Sequence, residues 1–175
     1  TISPWTQKIR QRWQLIKNDL GDIELFGENL YAIHSIEYQF LEQDFYLFAV
    51  RCKDMWLSWE EVQFYASLFD FGCVPELQIP TNIQDEKEYQ KAVLEKVNSS
   101  GLFAPHDVHS GLPCTIEGIV TRNAAEFPVD QFSHNVFKYV RKNHVKTDQH
   151  WRVNWQRARL AHEMKKENHS GLDAE

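Results

Sequence analysis

Short strand-like runs and helical stretches are intermixed along this chain without a regular strand–helix alternation, and this is the feature that most narrows its fold. Runs rich in β-branched and aromatic residues fall at 23–26, 29–33, 45–52, 115–122 and 137–141. Helical patterns fall at 4–20, 59–68 and 85–97, with a further helix from residue 151 that fades into a polar tail at 168–175. A doubly wound parallel sheet needs strand and helix in turn, so the order predicts an α+β fold built on antiparallel sheet. Hydrophobic residues (42%) and aromatics (13%) are enough to fill a core over 175 residues. The sequence shows neither an apolar run of the ~20 residues a membrane helix needs nor a signal-peptide pattern. Cys52, Cys73 and Cys114 are odd in number and widely spaced, so they predict neither a disulfide framework nor a CxxC metal site. The expectation is a cytoplasmic protein without a membrane partner.

The first helix is amphipathic. Trp5, Ile9, Trp13, Ile16 and Leu20 recur at helical spacing, with Lys8, Arg10, Arg12 and Lys17 between them. Ser3 can cap it, Pro4 suits its first position and Gly21 ends it. Ser58-Trp59-Glu60-Glu61 is a capping box and predicts a helix from Trp59 to about Leu68. Residues 98–113 read as turn and polar loop. Charge is uneven. Between Asp130 and His169 nine basic side chains face four acidic ones, a surplus of +5 that leaves −11 on the rest of a chain of net charge −6. Binding of nucleic acid by bulk charge is excluded, while a local phosphate-binding face is not.

Four segments have the residue types for chemistry. Phe26-Gly27-Glu28 puts a carboxylate beside a glycine at a strand edge, where backbone can approach a ligand closely; a surface turn with a solvated Glu reads the same. Asp44-Phe45-Tyr46-Leu47-Phe48 is a strand apolar on both faces, with Tyr46 and Phe48 on one and Phe45 and Leu47 on the other. It is either core on both sides or a stacking surface for a flat ligand. Glu117-Gly118-Ile119-Val120 places a carboxylate on the face of Thr115 and Ile119, which calls for a metal ion, a cation partner or exposure at an edge. Val136-Phe137-Lys138 sets a lysine on an apolar strand face, where it snorkels or points at an anion. His106-Asp107-Val108-His109 is a poor metal pattern because no further ligand pair follows at metal spacing.

In this order, the four segments resemble the nucleotidyltransferase domain of ATP-dependent RNA ligases of the phage type-2 kind and their bacterial relatives. The superfamily also holds DNA ligases and mRNA capping enzymes. Phe26-Gly27-Glu28 looks like the third conserved motif, and Asp44 to Phe48 like the adjoining aromatic one. Glu117 to Val120 looks like the fourth motif, and Val136 to Lys138 like the fifth. Gly27 to Ala32 with His34-Ser35-Ile36, and Lys138 through His144-Val145 to His150-Trp151, are closer still to a bacterial subgroup of RNA-ligase-domain proteins. The resemblance implies antiparallel sheets with flanking helices around a nucleotide cleft. It assigns residues 1–155 to the ligase domain and 156–175 to a C-terminal helix and tail. It also implies that a lysine takes AMP from ATP, that AMP passes to an RNA 5′-phosphate, and that a 3′-hydroxyl displaces it to seal the RNA. Phe48 would stack on adenine, Glu28 would contact the ribose or a metal-bound water, Glu117 would help to hold Mg²⁺ or Mn²⁺, and Lys138 would grip the α-phosphate.

Two departures stand against that pattern. Where phage type-2 ligases have a second lysine in the fifth motif this chain has Val140, and Arg141 could replace it only if the strand bulges. No Lys-x-Asp-Gly string, the family's nucleophile motif, occurs in the 175 residues. With Thr1 in place of an initiator Met, the expectation is a ligase domain lacking its start, a piece of a longer protein. A degenerate module that binds nucleotide or RNA without transferring AMP is the alternative reading, and a DNA ligase or capping type is another.

Overall fold

The computed structural model describes residues 3–80, 82–83, 85–99, 101–141 and 155–170. The elements run α1 (Pro4–Ile16), β1 (Ile23–Asn29), β2 (Ala32–Ile33), β3 (Ile36–Tyr38), β4 (Phe45–Cys52), β5 (Met55–Trp56), α2 (Trp59–Leu68) and β6 (Gly72–Cys73). They continue through α3 (Glu86–Ser99), β7 (Pro105–Asp107), β8 (Gly118–Arg122), β9 (Phe127–Pro128), a 3₁₀ turn (Val129–Gln131), α4 (Phe132–Asn135), β10 (Val136–Val140), β11 (Gln156–Arg157) and α5 (Ala161–Ser170). β1 with β4, β4 with β5, β5 with β9 and β3 with β7 pair antiparallel, and β6 runs parallel to β4, which is compatible with the α+β class expected from the intermixed sequence order. The chain divides into two compact units: residues 1–32, 43–74 and 122–137 form the first, and 33–42, 75–121 and 138–175 the second.

The first unit holds a five-stranded sheet in the order β1-β4-β5-β9, with β6 also pairing β4, off that path. Its core is Leu47, Val50, Leu57, Val62 and Ala66, packed between β4 and α2. The capping box is formed as the sequence predicts. Ser58 accepts from the Glu61 backbone N–H, and Glu61 returns to the Ser58 N–H at 2.9 Å. Helix α1 docks by a different stripe from the expected one. Trp5, Ile9, Arg12 and Ile16 face inward, and Trp13 stays 50% exposed. At 100° per residue Arg12 lies nearer the centre of that stripe than Trp13 does. Its guanidinium finds partners there, donating to the Phe69 carbonyl at 2.9 Å and to the Asp70 carbonyl at the end of α2. Ser3 is extended but bonds to Thr6 Oγ1 at 2.7 Å rather than to a helix N–H.

The second unit packs Val93 and Val97 of α3 against Ile116, with Ile119 and Tyr139 alongside. β3 and β7 pair here, Glu37 opposite His106, and β7 lies within the stretch the sequence reads as loop. Asp107 is consumed by its own turn: its Oδ1 accepts from His109 N–H (3.0 Å), Ser110 N–H (2.9 Å) and Ser110 Oγ (3.1 Å). These bonds close the turn. The region expected to be helical from residue 151 contains β11 before α5 begins at Ala161. The run from His144 to Trp151 lies outside the described residues.

Candidate functional site

Glu28 and Phe48 belong to the first unit, on neighbouring strands. The register of β1 against β4 shifts between Phe26 and Gly27: Phe26 opposes Ala49, Gly27 opposes Leu47, and Phe48 falls between the paired residues. This bulge has two consequences. Leu47 and Val50, three residues apart and therefore on opposite faces of a regular strand, both reach the core. Phe48 is turned out of the ladder and is 41% exposed. Burial along this strand thus differs residue by residue, with Leu47 buried and Phe48 open. Glu28 opposes Tyr46, so the two side chains leave the same face of the sheet, and Glu28 is exposed.

Gly27 has a different task from the one its sequence context suggests. A Cβ there would lie 2.3 Å from the Phe45 ring and 2.7 Å from the Tyr46 carbonyl oxygen. The space that glycine leaves is filled by the protein's own next strand, not kept open for a ligand. The end of the hairpin is then clamped by α1. Lys8 pairs with the buried Asp44 and lies 5.4 Å from the Tyr31 ring centroid. Asn29 donates to the Trp5 carbonyl at 3.3 Å while its Oδ1 accepts from Tyr31 N–H at 3.1 Å. Toward the other end of the β1–β4 ladder, Arg51 donates to Glu24 at 2.5 Å and lies 5.5 Å from the rings of both Phe26 and Trp56. That hydrogen bond holds the Glu24 carboxyl below its ordinary range and raises the Arg51 guanidinium.

Glu117 and Lys138 belong to the second unit. β8 starts at Gly118, three residues later than the sequence suggests, so Glu117 sits just before the strand instead of within it. Ile116 and Ile119 both pack on α3, a spacing of three that breaks strict alternation at Glu117. The carboxylate is half-buried, with Oε1 3.5 Å from Ser35 Oγ, and the Glu117 carbonyl accepts from Arg141 N–H at 2.9 Å. That bond and the one from Asn123 N–H to the Asn135 carbonyl, 2.8 Å, are separated by six residues on each strand, so β8 and β10 pair antiparallel without a bulge. Arg141 therefore does not slide into the place of Val140. The same register sets Lys138 opposite Val120, and both are exposed, while Ile119 and Tyr139 turn to the core.

A Cβ on Gly118 would fall 2.1 Å from the Tyr139 carbonyl oxygen, so the group that approaches this glycine is the partner strand's backbone. Arg122, which ends β8, donates to the Leu57 carbonyl at 2.7 Å and lies 5.5 Å from the Phe127 ring; burial pulls its guanidinium below the ordinary value. The sequence alone gives this arginine no partner, because backbone carbonyls carry no motif.

Among the described residues no three His, Cys, Asp or Glu side chains gather to hold a metal. Two open depressions occur elsewhere. One of about 480 Å³ is lined by Lys96, Ser99 and Phe103 in the second unit, and one of about 400 Å³ by Ile16, Tyr65 and Phe69 in the first. Among the described residues no helix is long and apolar enough to cross a membrane. No curated protein and no solved structure matches the chain. The family model described as RNA ligase matches residues 1–140. That match spans every one of the four motif segments, the bulged strand that presents Phe48 and the strand that presents Lys138, and the chain belongs to the RNA ligase family.

Proposed function

We propose that the protein joins RNA ends in an ATP-dependent reaction that passes through a lysyl-AMP intermediate. In the first step a lysine nitrogen bonds to the α-phosphorus of ATP as the bond to pyrophosphate breaks, and the lysine loses a proton. An oxygen of the RNA 5′-phosphate then takes the AMP from that lysine. The RNA 3′-hydroxyl attacks the activated phosphate, loses its proton, and AMP leaves. The observation that carries the reading is that the family match includes all four segments whose residues have the chemistry each step demands.

The roles of these side chains follow from that chemistry. The exposed Phe48 ring offers a plane to adenine, and the exposed Glu28 carboxylate can accept from ribose hydroxyls or from a metal-bound water. Lys138 is a cation at an exposed strand position, suited to neutralise an α-phosphate as charge moves through it. Glu117 would hold Mg²⁺ or Mn²⁺. Hard carboxylate oxygens fit such an ion, which takes one or two protein carboxylates together with substrate oxygens and water. The half-buried Glu117 beside the Ser35 hydroxyl fits that donor chemistry. The ion, when bound, draws charge from the phosphate oxygens. The covalent bond to lysine is not among the tasks assigned to these residues, since no Lys-x-Asp-Gly string occurs among them.

The second reading is a nucleotide- or RNA-binding module with no covalent step. One experiment separates the two. The full-length protein, incubated with α-labelled ATP and Mg²⁺ and run on a denaturing gel, is expected to carry the label. A band that stays unlabelled across pH and with Mn²⁺ rejects the covalent reading. Phe48→Ala is expected to weaken ATP binding by about 1–3 kcal/mol, the scale of base–aromatic stacking. Calorimetric titration checks it, and unchanged affinity in a folded variant removes the stacking role.

A further inference from the structure

The cations of α1 divide between two sides of the helix. On the docked side Lys8 is paired with Asp44, and Arg12 is held by the end of α2 with its guanidinium 4.8 Å from the Phe71 ring. On the far side Arg10, Trp13, Gln14 and Lys17 recur at i, i+3, i+4 and i+7, which sets them in one stripe. All four are exposed. The Lys17 ammonium lies 5.3 Å from the Trp13 ring centroid. Among the described residues neither Arg10 nor Lys17 makes an ion pair. Residues 4–18 contain four cations and no Asp or Glu, in a chain whose net charge is −6. The nearest acids along the chain are Asp19 and Asp22, and Asp22 is engaged by Lys53 at 3.5 Å.

Leaving a tryptophan half in water forgoes hydrophobic stabilisation. Here the ring is bracketed by a cation about one helical turn, ~5 Å, to either side. We propose that this stripe is a contact surface for an unpaired segment of RNA. Trp13 supplies a plane for one base, and Arg10 and Lys17 meet the phosphates beside it. Charge complementarity selects a polyanion, and the exposed ring selects one whose bases are free to stack. The identity of that polyanion as RNA rests on the proposed ligation reaction.

Fluorescence anisotropy with a labelled, 5′-phosphorylated single-stranded oligoribonucleotide, repeated over a salt series, tests it. Arg10→Ala with Lys17→Ala is expected to lower the slope of log affinity against log salt by about 1.4, or about 0.7 for each phosphate that is no longer neutralised. The charge-keeping pair Arg10→Lys with Lys17→Arg keeps the slope. Trp13→Ala is expected to weaken binding about 5- to 150-fold, the range of base–aromatic stacking, and Trp13→Phe to restore most of it. Duplex RNA of the same sequence should be insensitive to Trp13→Ala. Unchanged affinity and slope in the alanine variants, or equal losses on duplex and single strand, overturn the proposal. The AMP-adduct assay runs in parallel: its failure in the parent protein counts against the ligation chemistry alone. Loss of adduct in step with RNA binding across the stripe variants would mark the stripe as structural and overturn its assignment.

Discussion

Lys138→Ala and Glu117→Gln are each expected to slow formation of the AMP adduct in the full-length protein by more than tenfold, while both variants stay folded. Tenfold corresponds to about 1.4 kcal/mol of lost transition-state stabilisation. The folded state should tolerate Lys138→Ala, because the side chain is exposed opposite Val120 and leaves Tyr139 and Ile119 to fill the core. Glu117→Gln keeps the side chain's volume and its reach to Ser35 Oγ, and removes only the charge. Its defect should therefore diminish as Mg²⁺ or Mn²⁺ is raised, whereas that of Lys138→Ala should not. Single-turnover labelling at a series of metal concentrations separates the two. Parent rates in both variants would remove these residues from the chemistry.

Gly118→Ala is expected to be the most damaging added methyl among the described glycines. The added Cβ would stand 2.1 Å from the Tyr139 carbonyl oxygen and 3.0 Å from the Val140 Cα. Both are backbone atoms of the paired strand, so relief requires β8 and β10 to part. Overpacking of this kind costs about 1–3 kcal/mol, occasionally more. Because Glu117 precedes the glycine and Lys138 lies on the strand that would shift, adduct formation should fall with stability. Gly101→Ala is the control. A Cβ there meets nothing within 4 Å, and its effect should stay within about 0.5 kcal/mol. Urea midpoints of the two variants make the comparison. A midpoint for Gly118→Ala equal to that of Gly101→Ala would show that the strands are not held as described.

Local signals in the sequence translated well where the forces are local. The capping box at Ser58 and Glu61 needs only residues three apart, and α2 begins where it says. The intermixed order of strands and helices is a property of the whole chain, and antiparallel pairing followed from it. The short strands β3 and β7 were not legible, because each has three residues and gains its stability from a partner about seventy positions away. Trp13 was misplaced for a related reason. Helical spacing admits it to the apolar stripe, but the carbonyls at the end of α2 offer Arg12 a better partner than Trp13 finds.

By itself the sequence determined the mixed α+β class, the position of α2 and the likeness to RNA ligases, because motif spacing and hydrophobic period are written in the order of the letters. Only the tertiary structure decided which residues the four segments present. A one-residue bulge sends Phe48 outward while Leu47 and Val50 turn in, and close strand contact claims Gly27 and Gly118 for packing. Unbroken register keeps Arg141 out of the place of Val140. Each is a matter of how two strands distant in sequence lie against one another. The period of a single strand cannot encode that, because the extra residue of a bulge becomes visible only against a partner.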